Sequence, residues 1–582
     1  MLEKLTPRRA FLFSAFIVVL ALCVLVVDQW SQLRRAEFPN PDSFYKLVLL
    51  REYNPEAGFQ YMARDNAPFG TYQHWSAVHS WTVLQLSHLL QAVGFAQNGA
   101  LVAAGSATTV LSFLALALLV ARVILTQGSP LAALVAVIAL VSCGPLRGYG
   151  QPIQITHHIF MLVPVAAAAF FLFPTAATRR RWYSGAVMAG ALLALALWIS
   201  PESMLLVVVM LAIRAALRLQ YPGNEPLWPI AVGLCSTLVI GWLIDPPPPT
   251  FSAWALDHLS LAWLSFGGML SGLLVLADLL STLRWSLWRR ISGLSGAAIA
   301  AALLWLLIVP DALRGPAGLI PPELKTLWWN HIQELMPVAS ASEAIIFVGM
   351  PLVAGLLLAF TAYRRRALWM AVLALSTLVY GALAAQHTRM GAAAGFLAML
   401  SYGVTLAHLT AFREPRQLRG KPLASLGAVS LILLPSMQLL LAYVLLDERA
   451  VEMKKNNLSS RCKVADIAPV LNALPEGTVL AHINDGPELL WRTPHRIIAG
   501  NYRHNVSGLL DHFHLWRSIA PDEHAQRLVA LRKIDYVPGA ISCPMCSDSI
   551  RDSPHWQAAS LPARRSTGYP CMRPLGTGGC TG

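Results

Sequence analysis

This sequence is poor in charge. Only 13% of its 582 residues are Asp, Glu, Lys or Arg, while 56% are hydrophobic. That is about half the charge of an ordinary soluble domain, and it excludes one. Nucleotide-binding signatures are missing as well. There is no GxxxxGK[ST] and no GxGxxG after a strand, so no ATP-driven engine is expected on the cytoplasmic side. The first apolar run has no small-residue cleavage site after it and ends in Asp28-Gln-Trp-Ser-Gln-Leu-Arg-Arg35. It reads as an uncleaved helix rather than a signal peptide. The lone CxxC, Cys543 to Cys546, has no second CxxC to complete a zinc ribbon. Disulfides of an oxidising compartment are the better reading for the C-terminal cysteines, with their pairing open. No helical repeat of the kind found in many transporters is visible.

Long apolar runs are plentiful. A run of about 20 residues spans the roughly 30 Å of bilayer hydrocarbon as a helix. The runs predict a polytopic α-helical membrane protein of about thirteen spans. They fall near 10–27, 98–121, 130–147, 157–174, 183–199, 202–213, 228–244, 258–281, 292–309, 343–362, 367–385, 390–411 and 423–446. The formal charge of +14 does not indicate nucleic acid, because the basic residues cluster in short alternate loops. With the N-terminus cytoplasmic, Lys4, Arg8 and Arg9, Arg122, Arg179–Arg181, Arg214 and Arg218, Arg284–Arg290, Arg364–Arg366 and Arg413–Lys421 all fall inside, as the positive-inside rule requires. The domains expected are a membrane domain over 1–446 with a long first outer loop at 28–97, and an outer α/β domain over 447–582. The latter has strands at Thr478–Ile483, Arg496–Ala499 and within ALRKIDYVPGA, and ends in a disordered Cys-containing tail.

The conspicuous polar groups then gather on the outer face. Asp42 follows the first helix; it can bind a divalent cation or serve as a base, or simply cap the helix that starts there. Asn66-Ala-Pro-Phe-Gly70 reads as a turn, followed by His74, an amphipathic helix near 76–95, and Trp75 and Trp81 as interfacial anchors. His157 and His158 stand where the chain enters a span. Neighbouring helical residues point about 100° apart, so if the helix has already begun there, one of the pair, His157 before His158, is expected to line a site. Glu202 lies in a Ser-Pro-Glu-Ser turn. In the 310–342 segment Trp328, Trp329 and His331 suit the bilayer surface, while Glu334 needs a wet cavity. Arg389 either snorkels outward or forks onto a phosphate.

These pieces, in this order, resemble the GT-C class of integral-membrane glycosyltransferases, in particular a bacterial group distantly similar to the oligosaccharyltransferase catalytic subunit. The matching stretches are Asp42 with SFYKLVLLRE, Pro68-x-Gly70-x-x-x-His74-Trp75-Ser76, Ile155-Thr156-His157-His158, Glu202, Glu334 with Pro337, and LNALPEGTVLA and TPHRIIAGNYRHNVSGLLD near the C-terminus. The resemblance implies transfer of a sugar from a polyprenyl-phosphate-linked donor to an acceptor outside a bacterial inner membrane. It further implies catalytic roles for Asp42 and Glu334, and substrate contacts from His74, His157, His158, Glu202 and Arg389, the last to the donor phosphate. A divalent cation (Mg or Mn) would be held by Asp42 and His157. One departure stands out: Thr156 occupies a position where related sequences tend to carry Asp, which puts metal dependence in doubt. A WWD-type motif is absent, which argues against glycosylation at Asn sequons. A transporter or flippase of a lipid-linked or anionic solute, and a non-catalytic envelope assembly protein, remain as alternatives.

Overall fold

The computed structural model describes residues 5–173, 182–245, 253–318, 320–410, 463–517, 523–538 and 572–574, with isolated positions at 441 and 444. The expected span at 423–446, most of Asp245-Pro-Pro-Pro-Pro-Thr250, the basic clusters Arg179–Arg181 and Arg413–Lys421 and the Cys-containing tail fall wholly or largely outside these residues.

The expectation of about thirteen spans is corrected. Among the described residues, seven helices are long and apolar enough to cross a membrane, Pro7–Asp28, Gln97–Thr126, Leu261–Thr282, Leu287–Ile308, Ala341–Arg365, Leu368–Gln386 and Thr388–Leu409. The chain is therefore a multi-pass membrane protein. Four further apolar helices are shorter, among them Pro130–Ser142 and His158–Leu172. The run read as 130–147 breaks where Cys143 turns extended, leaving a helix that reaches roughly 20 Å, well short of the hydrocarbon thickness. The run read as 202–213 becomes Met204–Gln220, whose last turns bury Arg214 and Arg218 against Glu225 and Asp278. Periodicity could not distinguish helices that cross alone from helices that pack beside others.

Burial orders the bundle. The apolar window of Thr388–Leu409 is 94% buried, whereas that of Leu287–Ile308 is 6% buried, so the former is the central helix and the latter lies at the rim. The first helix buries Ala10, Ser14, Val18 and Leu22, one narrow stripe at i, i+4, and leaves Phe13, Phe16 and Leu20 exposed. Helices Trp182–Ile199 and Trp228–Ile244 touch backbone to backbone. A Cβ at Gly190 would sit 2.0 Å from the Ile230 carbonyl oxygen, and one at Gly233 would sit 2.0 Å from that of Val187. Small residues permit such approach in membranes. Gly233→Ala should cost about 2 kcal/mol or more through overpacking and lower the thermal midpoint in detergent. An unchanged midpoint would contradict the close contact.

The segment between the first two long helices folds onto the C-terminal region. Helix Pro41–Arg51 starts with Asn40 as cap, its Oδ1 accepting from the Ser43 N–H at 2.9 Å, so the reading of Asp42 as the cap is not what the structure shows. Residues Ser43–Leu50 are all buried, and Phe44, Leu47 and Val48 share one apolar cluster with Leu471, Val479, Trp491 and Ile497. Asn66 and Gly70 take positive φ and close the expected turn; the amphipathic helix spans Ala77–Ala92. The C-terminal region contains β structure: Thr478–Val479 pairs in parallel with Arg496–Ile497 and with Ile534–Pro538, and Met572–Pro574 adds an antiparallel edge. The first two strands are shorter than the sequence suggested. Helices Gly486–Arg492, Val506–Arg517 and Glu523–Arg532 connect them, as parallel crossovers require.

Asp65 fastens the two parts. It is fully buried and accepts hydrogen bonds from the Tyr45 hydroxyl, the Asn66 and Gly500 N–H groups and the Asn505 amide, all within 3.0 Å. Asn505, part of an Asn-Val-Ser sequon, is thus committed to the interior. Burial pushes the Asp65 carboxyl up to about 6 against these donors. The native fold holds that proton more tightly than the unfolded chain does, so this contribution to stability is complete below the ordinary carboxylate pKa and is lost as pH rises through about 6. Asp65→Ala takes the acceptor from Tyr45, Asn66 and Gly500 and leaves the Asn505 amide with the Ile498 carbonyl alone, on the order of 4 kcal/mol. Hydrogen exchange across 463–538 should rise sharply, and the gain in protection from pH 7 to pH 5 should vanish. Protection equal to wild type would refute the fastening role.

Candidate active site

Six segments remote in sequence meet around Arg389, which stands at the start of the central helix. One guanidinium nitrogen lies 2.6 Å from Glu202 Oε1 and another 3.6 Å from Glu334 Oε2, while Nε is buried without a hydrogen-bond partner. Local structure explains how each group is presented. Glu202 sits on a single 3-10 turn, Pro201–Ser203, whose cap Ser200 accepts from the Glu202 N–H. Glu334 sits on the turn Gln333–Leu335, which is fastened to the entry of the central helix. The Thr388 N–H donates to the Met336 carbonyl, the Thr388 hydroxyl to that of Glu334, and His387 Nδ1 to that of Leu335. The carboxylate predicted to need a polar cavity therefore faces a guanidinium.

The histidines are held by the loop before them. The Thr109 hydroxyl donates to the Gln154 carbonyl at 2.8 Å and the Ile155 N–H to the Ser43 hydroxyl at 3.0 Å. The Ile155 side chain fills space that a Cβ on Gly105 would take. His157 is the cap residue and His158 opens the helix. The two rings lie together, 4.6 Å apart centroid to centroid. Because the helix begins after His157, the 100° rule does not separate them. Donor atoms of His157, His158 and Glu202 all lie within 4.8 Å of one another. Two imidazole nitrogens and a carboxylate oxygen form a set that can hold a divalent cation and suits a transition metal better than Mg²⁺. Asp42, expected as a ligand, is not in this set. Two of its donors are engaged: Lys46 Nζ lies 3.0 Å from His157 Nδ1, and Glu202 Oε1 faces Arg389. Thr156 is buried, and its hydroxyl has no partner.

Electrostatics binds Asp42 to the group. Burial raises its carboxyl above the ordinary range, opposed by the charges of Lys46 and Arg389 and by the nearby Tyr502 hydroxyl. That hydroxyl has no hydrogen bond of ordinary geometry, so its influence on Asp42 is one of proximity. Burial also raises Glu202, but Arg389, His158 and Arg503 together outweigh it and hold that carboxyl below its usual value. For Glu334 burial prevails over Arg389, and its carboxyl is raised. Burial lowers Lys46 to about 8 against the pull of Asp42 and Glu202. His74 lies at the margin, stacked on His504 with centroids 5.5 Å apart; burial lowers it well below its ordinary value.

Sequence reasoning missed several residues. Lys46 lies four positions after Asp42, hence on the same helical face, a signal that was available. Tyr502 and Arg503 carry no local signal, since the C-terminal region brings them to Asp42 from more than 400 residues further along the chain. Arg503 pairs with Asp257 at 2.5 Å, as does His504. Two tryptophans were misplaced. Trp75 is buried against Tyr45 and Tyr502, and Trp328 is buried with its indole N–H on Asn501, so neither is an interfacial anchor.

Helical bundle, first loop and β-containing C-terminal region build a GT-C-like membrane fold, as the likeness to solved structures shows. No family model matches the chain, and no curated protein does. Among solved structures it is similar to the oligosaccharyltransferase of Archaeoglobus fulgidus. In the apo form the TM-score is 0.62 at 12% identity, over 92% of this chain and 69% of that one. That protein in complex with Zn and sulfate gives 0.57 at 14% identity, over 90% and 67%. The archaeal enzyme, AglB, in complex with an inhibitory peptide and a dolichol-phosphate gives 0.58 at 13% identity, over 90% and 69%.

Proposed function

We propose that this chain is a glycosyltransferase that moves a sugar from a polyprenyl-phosphate-linked donor to an acceptor on the outer side of a bacterial inner membrane, with its N-terminus cytoplasmic and its C-terminal region outside. The observation that carries this reading is the convergence of Asp42, Glu202, Glu334, Arg389 and the two histidines in the fold of AglB, a protein solved with a dolichol-phosphate. In the reaction, the bond between the sugar's anomeric carbon and the phosphate oxygen breaks while the acceptor's nucleophilic atom bonds to that carbon. Polyprenyl phosphate departs with the electron pair. Arg389, its Nε still free, stabilises the charge that develops on the phosphate. Asp42, raised toward working pH by burial, takes the acceptor's proton. Glu334, the more exposed carboxylate, orients the acceptor, and Glu202 fixes the guanidinium. His74 lines the approach from the C-terminal side. A divalent cation held by His157, His158 and Glu202 would add positive charge beside the leaving phosphate.

The test is release of polyprenyl phosphate from a panel of polyprenyl-phosphate sugars by the purified chain, with Asp42→Asn and Glu334→Gln in parallel. No turnover with any donor, or unchanged turnover in both variants, sinks the proposal. Counterflow of a lipid-linked solute across proteoliposomes without turnover would favour transport instead.

A further inference from the structure

Beside the cluster that can hold a divalent cation stands a fixed monovalent one. Lys46 is only 3% exposed. Its ammonium lies 3.0 Å from His157 Nδ1 and 4.9 Å from the centroid of the Trp75 ring. An ammonium buried this deeply ordinarily pairs with a carboxylate, because an uncompensated charge in the interior is costly. Among the described residues no carboxylate stands within ion-pair distance of it; Asp42 and Glu202 attract it from farther off, and the hydrogen-bonding partner it has is a candidate metal ligand. The second candidate ligand, Glu202, gives Oε1 to Arg389. A dication placed among His157, His158 and Glu202 would therefore meet like charge at close range on two sides. Thr156, the neighbour of His157, brings no carboxylate that could cancel the Lys46 charge.

We propose that Lys46 is the resident cation of this site: its ammonium holds the phosphate of the substrate where a divalent cation would otherwise act, and ammonium and metal are alternative occupants of the His157, His158 and Glu202 cluster. The identity of the phosphate as that of a lipid-linked donor rests on the proposed function; the competition between Lys46 and metal does not. An ammonium is a compact point charge with three donors, so one can remain on His157 while the others face a phosphate oxygen.

Two probes test this on the full chain in detergent: Mn²⁺ alone, and a short-chain prenyl phosphate, both followed by calorimetry. Wild type should bind prenyl phosphate in EDTA, with its Kd changed less than twofold by Mn²⁺, and should bind Mn²⁺ weakly. Lys46→Met should weaken prenyl phosphate at least tenfold in EDTA and tighten Mn²⁺ at least tenfold. Adding His157→Ala to that variant should remove the Mn²⁺ gain. Lys46→Arg keeps the charge and should retain EDTA-resistant phosphate binding, which decides the matter if the methionine variant does not fold. Wild-type phosphate binding that requires Mn²⁺, equal affinities in wild type and Lys46→Met, or loss of binding in a folded Lys46→Arg would overturn the inference. Both probes read binding, not turnover. Lys46-dependent binding without sugar transfer would end the proposed function and leave this inference standing; Mn²⁺-dependent transfer would do the reverse.

Discussion

Arg389→Met is expected to lower kcat/KM for sugar transfer by roughly 10²–10³, the loss typical when a preorganised donor to a developing anion is removed. Two consequences combine. The donor phosphate loses a planar fork of N–H donors at the start of the central helix. In addition, Glu202 and Glu334, now 2.6 and 3.6 Å from the guanidinium, are left facing each other and Asp42 without it. The charge of Arg389 is the foremost of the charges that hold Glu202 below its ordinary pKa, and it helps restrain the rise of Glu334 and Asp42. Without it all three carboxyls move up, so the acid limb of the pH–rate profile should move to higher pH as well. Arg389→Lys keeps the charge but not the fork, and should recover part of kcat with a raised KM for the donor. Polyprenyl phosphate release between pH 5 and pH 9 measures both effects. Activity within threefold of wild type, or a profile that does not shift, would remove Arg389 from the phosphate site.

How much of this was legible in the sequence depends on the range of the interaction. Helix positions followed from apolar runs, since each run reports its own burial. The number of independent spans did not, because a 13-residue helix such as Pro130–Ser142 and a full span share the same composition and differ only in what surrounds them. Asp42, Glu202, Glu334 and Arg389 were legible as polar groups where apolar chain begins or ends, places where a charge is costly unless it has a partner. Their partners were not, because Arg389–Glu202 is a contact between loops 187 positions apart by subtraction of the residue numbers. Trp75 and Trp328 failed for a related reason. A tryptophan beside a membrane segment suits the interface equally well as an anchor or as a core residue under a docked region, and only the C-terminal region's position decides. The histidine pair turned on one residue of helix boundary, the level at which sequence reading is weakest.

Asp42→Asn is the sharper test of chemistry, because it removes a charge with little change of shape. Asn40, not Asp42, caps helix Pro41–Arg51, and Ser43–Leu50 stay buried, so the variant should fold as wild type does. If the carboxylate accepts the acceptor's proton, kcat should fall by about 10²–10⁴, the range for loss of a positioned general base. KM for the donor should change little, since the phosphate is held by cationic groups and not by the Asp42 carboxylate. The pH dependence has a definite sign. The base works deprotonated, and burial raises Asp42 above the usual carboxylate range against Lys46 and Arg389. Wild-type activity should therefore climb with pH through an apparent pKa higher than that of an exposed aspartate, and the residual activity of Asp42→Asn should lack that limb. A role in binding alone predicts the opposite split, a raised KM with kcat preserved and the acid limb intact. Lys46 adds a further constraint. Its ammonium stabilises the ionised carboxylate, so Lys46→Met in the wild-type background should push the Asp42 limb to still higher pH, and should have no such effect once Asp42 is Asn. A limb that survives in Asp42→Asn would assign the base to another carboxylate, with Glu334, itself raised by burial, next in line.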